Sequence, residues 1–463
     1  MAESISTEQK ALKINLDAGR FGTFAEIGAG QEVVRWFFHV GKASATVAKS
    51  ISAYDMAVSD ELYGPAQRYV SRERVASMLD HEWGLLLARL DQKRGDKSSF
   101  FVYADTAATN TRPGNHGGHA WLGIRFQTEP RSQPSEVVAH VQLFDLRAAD
   151  QQAALGVLGV NLIYGAFFSH AEPNRMIGEL MDGLRRQRVE IDMLKVSGPA
   201  FAGVDNRLMS LQLVEQDLTD AALFTVEGEV VQASEVLYGK PVLIERGAFR
   251  PVTNVTKELM DRALEQYRED AGTDKEGLVV LMEMTLNNLM TERVVDYRDF
   301  LARADTLSAL GKMVLISDYP RFDLVTSYLR KYTQNWIAMV VGAPTVREIF
   351  DPQYYADVEG GLLEGLGRLS HGKVKLYVYP TKNREDGAVI DACALPVAPE
   401  AQHLYNYLLE SGKIEPIRKF GEEQLHVYPD QVLAMIQAGN AEWETMVPPA
   451  VAKLIKERGL FRK

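Results

Sequence analysis

The sequence predicts an α/β protein: a C-terminal Rossmann-like body built on a doubly wound parallel sheet, preceded by an N-terminal α+β body. Two observations carry this. From Lys240 onward, short runs that are apolar almost throughout alternate with amphipathic helical stretches, as strands buried on both faces alternate with their crossovers. Before that point β-rich runs follow one another directly, separated by Gly, Pro, Asn and Ser, which is the pattern of a small mixed or antiparallel sheet. At 463 residues the chain is too long for one ordinary core. The change of rhythm alone places the boundary, giving bodies 1–235 and 236–463.

In the first body "FAEIGAG" reads as a short strand ending in glycines and "QEVVRWFFHV" as a helix. "RERVASMLDHEWGLLLARLDQKRG" has apolar residues at helical spacing, with Gly95 as its stop. "SSFFVYADT", "HAWLGIRFQT" and "SEVVAHVQLFD" then read as strands. "AALGVLGVNLIYGAFF", Ala153 to Phe168, is apolar all round, carries Asn161, and is shorter than the ~20 residues that cross a bilayer. A buried helix is the expectation, in the core or at a subunit interface.

In the second body "PVLIER", "GLVVLMEMT", "KMVLISDY", "WIAMVVGAP" and "KVKLYVYP" read as the strands. The helical patterns between them are "VTKELMDRALEQYRED", "DYRDFLARADTL", "DLVTSYLRKY" and "TVREIF" followed by "GLLEGLGRL". Strands joined by helical crossovers imply a parallel sheet.

Composition narrows the partners. A formal charge of −11 repels nucleic-acid backbones and anionic lipid, and no basic run offsets it, so neither nucleic acid nor membrane is expected. A single cysteine, Cys393, forms no internal disulfide, and the first residues lack a basic segment followed by an apolar one; the expectation is a cytoplasmic protein.

Ligands of open parallel sheets bind outside the carboxyl ends of the strands. Those ends read "RGAFRPVT", "MTLNN", "SDYPRF", "GAPTVR" and "YPTKNR", which brings Arg250, Thr253, Asn254, Asn287, Asp318, Arg321, Thr345, Arg347, Lys382 and Arg384 to one rim. Helix N-termini there favour an anion such as a phosphate. The expected ligand is therefore a nucleotide or another small phosphorylated metabolite, held by Gly247, Phe249, Thr253, Asn254, Asn287 and Lys382. Any chemistry would be phosphoryl or nucleotidyl transfer, with Arg250 or Arg321 stabilising charge and Asp318 holding Mg²⁺.

"GAFRPVT", between a strand and a helix, resembles the start of the nucleotidyltransferase fold, where GxFxP and HxGH hold a triphosphate. That resemblance implies a phosphate cradle around Gly247 and Phe249. Thr253, Val255 and Thr256 stand where the motif has histidine, glycine and histidine, so the groups that stabilise charge in adenylyl transfer are absent. More broadly, "FGTFAEIGAGQEVVRWFF", "ISAYDMAVSDELYG" and "KPVLIERGAFRPVT" make the chain similar to a bacterial family of unestablished activity, whose members often carry the label nicotinate-nucleotide adenylyltransferase.

Other motifs carry less. "FAEIGAG" resembles the first loop of methyltransferases but has Gln31 at the third glycine position, and Trp36 occupies the early glycine position of a P-loop ending near Lys42. His116 and His119, with Asp105, amount to half a metal site that His81 or His140 would have to complete; a lid or an interface loop, which needs no ligand, is the reading preferred for the same residues. "SAYDMAVSD" reads as a turn, and Ser59 has no neighbouring base. The rival to an enzyme is a non-catalytic scaffold or filament-forming protein, and on either reading a homo-oligomer is expected.

Overall fold

The computed structural model describes residues 5–109, 118–270, 277–291, 294–383 and 387–462. The chain divides into two compact units, Met1–Asp220 and Ala221–Lys463.

The first unit is built on a six-stranded mixed sheet. Its strands are β1 (Arg20–Gly28), β2 (Val47–Ala53), β3 (Ser99–Ala108), β4 (Gly118–Phe126), β5 (Ser135–Leu143) and β6 (Val189–Ser197), in the order β2-β1-β3-β4-β5-β6. β1 runs parallel to β2 and β3, whereas β3 to β6 form an antiparallel meander. The difference lies in the connections: helices link β1 to β2 and β2 to β3, and only such crossovers allow parallel pairing.

The helix Arg72–Arg94 covers one face. Ser71 caps it by accepting from the Arg74 N–H, Glu73 lies in the first turn, Lys93 and Arg94 in the last, and Gly95 ends it. It packs closely enough that a Cβ on Gly123 of β4 would meet Val75 and Leu79. The opposite face is covered by the helix Ala148–Phe168, most of which is buried in the unit's core. It is long and apolar enough to cross a membrane, but its burial on all sides is that of a core helix. Asn161, buried near its middle, is fully satisfied: the side-chain amide donates to the carbonyls of Leu180 and Asp182, and its oxygen accepts from the buried Lys10 ammonium at 2.9 Å.

The segment read as a turn, "SAYDMAVSD", is the end of β2 and a helix, Met56–Tyr63, capped by Asp55. β2 and β6 escape sequence reading for different reasons. β2 is a half-exposed edge strand without apolar alternation, and β6 carries Glu190, Asp192 and Lys195 among its apolar residues.

The second unit holds an eight-stranded sheet. Its strands are β7 (Ala221–Phe224), β8 (Val230–Val231), β9 (Val242–Arg246), β10 (Val279–Thr285), β13 (Met313–Ser317), β14 (Ile337–Gly342), β15 (Val374–Tyr379) and β18 (Ile414–Pro416). Two short ribbons complete the numbering: β11 (Met290–Thr291) with β12 (Val294–Val295), and β16 (Thr381–Lys382) with β17 (Val389–Ile390). The order is β18-β15-β14-β9-β10-β13-β7-β8. β18, β15, β14, β9, β10 and β13 are mutually parallel; β7 and β8 add antiparallel at the β13 edge. After β9 the chain winds outward through β10 and β13, then returns to the other side of β9 through β14, β15 and β18. This is the doubly wound arrangement the sequence predicts.

The boundary differs from the expected one. Residues 221–235 belong to the second unit because β7 and β8 extend its sheet. Four-residue and two-residue strands are too short to break the rhythm of the sequence.

Candidate functional site

The parallel strands bring their carboxyl ends to one edge of the eight-stranded sheet, and the winding reverses between β9 and β14. Arg246, the last residue of β9, is fixed there by Glu283 of β10: its Nε and Nη2 donate to the two carboxylate oxygens at 2.9 and 2.8 Å. Glu283 is wholly buried and also accepts from Ser317 Oγ of β13 at 2.6 Å, and the Arg246 guanidinium lies over the Phe322 ring at 4.4 Å. A charge pair this deep requires such complete partnering. It locks the ends of β9, β10 and β13 in register.

The turn after β9 is shaped by its own side chain. Phe249 is buried and holds φ +50°, a left-handed conformation unusual for a bulky residue. Its ring folds back on Gly247, where an added Cβ would stand 2.8 Å from a ring carbon. Glycine is therefore required at 247, whose N–H donates to the Glu283 carbonyl at 3.1 Å. Arg303 holds the turn from below, donating to the carbonyls of Ala248 and Asn288 at 3.0 and 2.7 Å. Burial pulls the Arg303 guanidinium below its ordinary pKa while Asp299 pushes it up.

Arg250 donates through Nε to Asp299 Oδ1 at 2.7 Å, and is about one-third exposed. Among the described residues its two terminal nitrogens make no hydrogen bond, and the backbone N–H groups of Ala248, Phe249 and Arg250 have no partner. A guanidinium edge and three amide donors thus gather on one turn.

The other expected residues are placed as follows. Thr253 is buried and caps the helix Asn254–Asp270 by accepting from the Thr256 N–H at 3.4 Å. The Asn254 N–H donates to the Met446 carbonyl and its side chain to the Thr445 carbonyl, each at 2.9 Å. Both groups assigned to a ligand are thus engaged within the protein. Arg321 is likewise committed: Nε donates to Asp323 at 3.0 Å, Nη1 to both oxygens of Asp357 at 2.6 Å, and the side chain is nearly buried. Asn287 and Asp318 are exposed at the ends of β10 and β13, and Lys382 lies half-buried on β16 without an ion pair among the described residues. Thr345 and Arg347 sit on the helix Ala343–Ile349, half-buried and exposed respectively. Arg384 lies outside the described residues.

Sequence reading missed Arg246, Glu283, Asp299 and Arg303. For Arg246 and Glu283 the signal is a charged residue inside an apolar strand, in "VLIER" and "LMEMT"; Asp299 and Arg303 stand on the helix Tyr297–Ser308 and carry no such mark. The same signal marks Glu245, buried on β9 with one carboxylate oxygen unpartnered; burial holds it well above the usual carboxylate range.

Of the metal candidates, the two described ones, Asp105 and His119, do not converge. His116 lies outside the described residues. Asp105 pairs across the strands with Leu122, and His119 stands three residues from Leu122 on β4, so the two side chains project from opposite faces of the sheet. Among the described residues no group of three His, Cys, Asp or Glu side chains is placed to hold a metal.

No protein-family model matches the chain, and no curated protein matches it, so the nicotinate-nucleotide adenylyltransferase label has neither behind it. The chain is similar to solved competence/damage-inducible proteins. With CihA from Agrobacterium tumefaciens it shares 17% identity over 35% of this chain and 97% of that one, at a TM-score of 0.26. With a CinA superfamily protein from Enterobacter cloacae the figures are 14%, 36%, 95% and 0.27. With one from Klebsiella pneumoniae they are 14%, 34%, 93% and 0.26.

Proposed function

We propose that the chain binds a nucleotide or another phosphorylated metabolite at the carboxyl edge of the second unit's sheet. The observation that carries this reading is the reversal of winding between β9 and β14, beside which the Gly247–Arg250 turn lies. The unpartnered amides of Ala248, Phe249 and Arg250 and the terminal nitrogens of Arg250 supply donors for phosphate oxygens. Lys382 and Arg347 add positive charge from the ends of β15 and β14. Mg²⁺ would reach the protein through Asp318, with phosphate oxygens and waters completing its shell, as it commonly does. If phosphoryl or nucleotidyl transfer follows, Arg250 is the group to stabilise developing charge, because Asp323 and Asp357 already neutralise Arg321.

The test is thermal unfolding with ATP, nicotinate mononucleotide or NAD in the presence of Mg²⁺. A ligand at a hundred times its dissociation constant stabilises the fold by about 2.7 kcal/mol. Stabilisation of the wild type by at least one of them, lost in Arg250→Gln, is the expected result; no shift with any of the three ends the proposal.

A second reading, a self-assembling scaffold, is favoured by a separate observation. Tyr54, Met56 and Val58 are 78%, 61% and 50% exposed just after the edge strand β2. Light scattering that shows a homo-oligomer dispersed by Met56→Lys would support this reading.

A further inference from the structure

The first unit carries a line of polar groups that the reading above does not use. On β4, β5 and β6, His119 Nδ1 lies 3.2 Å from His140 Nε2, and His140 Nδ1 lies 2.5 Å from Asp192 Oδ1. The line exists because of a backbone irregularity. His140 pairs with Met193 and the next residue, Val141, with Ile191, so Asp192 is an extra residue in the ladder. A bulge re-aims a side chain, and here it turns the carboxylate onto His140. Gln142 Nε2 holds the second Asp192 oxygen at 3.3 Å, and the Trp121 ring packs on His140 with centroids 4.9 Å apart. His140 and Asp192 are 3% and 9% exposed, whereas His119 is half-buried at the outer end.

The carboxylate orders the chain of protons. An ionised Asp192 only accepts, so His140 carries its proton on Nδ1. With both rings neutral, His140 Nε2 then accepts from His119 Nδ1–H, and the lone pair of His119 stands on Nε2 at the accessible end. Among the described residues that atom has no partner. Burial and the neighbouring His140 push the His119 pKa down to about 4, which keeps the lone pair free at neutral pH.

A cation faces the same place. Thr106 of β3 pairs across the strands with Trp121, and its hydroxyl donates to the Tyr69 carbonyl at 2.7 Å. That bond sets the segment bearing Arg68 over the face on which His119 and His140 stand. Arg68 is exposed, has no ion pair among the described residues, and is near enough to oppose positive charge on His119. Arg68, His140 and Asp192 are the charged or titratable groups that face His119 among those residues.

We propose that His119, His140 and Asp192 form a proton-accepting relay, a second site that takes an anionic ligand bearing an exchangeable O–H or N–H. Arg68 pairs with the negative charge. The ligand's proton passes to His119 Nε2, the proton on His119 Nδ1 passes to His140 Nε2, and that on His140 Nδ1 moves toward Asp192. The ligand loses one proton, the relay gains one, and the new charge ends against a carboxylate.

Diethyl pyrocarbonate, which acylates unprotonated imidazole nitrogen, tests this on the full chain with peptide mapping by mass spectrometry. An ordinary histidine of pKa ~6.5 loses about 25-fold in reactivity from pH 7 to pH 5; His119 is expected to lose less than about twofold. Inorganic phosphate, which has both a negative charge and an exchangeable proton, is expected to protect His119 in the wild type and not in Arg68→Ala. Nitrogen-15 NMR of the rings is expected to show His119 protonated on Nδ1, with that preference lost in Asp192→Asn. An unreactive His119, an ordinary pH profile, or no protection by phosphate overturns the site. If Asp192→Asn does not fold, the wild-type pH profile and ring tautomers decide.

Discussion

Glu26 and Asp105 are neighbours across the β1–β3 ladder, 2% and 0% exposed, and two carboxyls cannot both ionise there without cost. Glu26 accepts from the N–H groups of Val33 and Val34, and Asp105 from Tyr103 Oη at 2.9 Å, yet burial still pushes Glu26 up to about 7 and Asp105 well above the usual range. A raised pKa makes a contribution to stability that is complete below the unfolded value near 4.5 and is lost as pH rises through about 7. Glu26→Gln keeps both backbone hydrogen bonds and removes the titration. It is expected to be more stable than the wild type at pH 8 by about 1–3 kcal/mol and little different at pH 4.5, as measured by urea unfolding. Parallel pH curves would contradict this. His119 has the opposite sign: its lowered pKa makes stability fall between pH ~6.5 and about 4, which is why the variant must be compared with the wild type at each pH. Gly30 meets the same cluster, since a Cβ there would stand 1.8 Å from Asp105 Oδ1; Gly30→Ala is expected to cost about 1–3 kcal/mol in the same assay.

Elements were legible in proportion to how completely one period governs them. The five long strands of the parallel sheet announce themselves because both faces are buried, and the helix Arg72–Arg94 because a cap, a charge gradient and a terminal glycine agree. β18 is only three residues long, and nothing in "IEP" separates it from a loop. The candidate site was legible only at its turn. Gly247 and Arg250 follow a strand in sequence, whereas Glu283, Asp299 and Arg303 come from elements 37 to 55 residues away, brought together by folding alone. The relay depends on a bulge, which leaves no trace in composition. At this scale the helix Ala148–Phe168 offers a test. Asn161→Leu removes the acceptor of a buried ammonium and unpairs two carbonyls, and it is expected to cost about 2–4 kcal/mol by denaturant unfolding. A change below about 0.5 kcal/mol would show that Asp182 and the Glu179 carbonyl satisfy Lys10 without it. The Thr253 cap is a milder case: Thr253→Ala is expected to lose about 1 kcal/mol, read as a lowered melting temperature.

The molecule is two compact units, each with its own sheet and its own buried cluster. Residues 1–220 and 221–463 are therefore each expected to give a cooperative thermal transition when produced separately; a non-cooperative melt from either would show that it depends on the other. The short hairpin of β7 and β8 decides where that separation works. It is the selvedge of the larger sheet, covering the backbone groups of β13 that would otherwise stand bare. A fragment begun at residue 236 tears this border away and should precipitate by recruiting strands from its own copies, while one begun at 221 stays in solution.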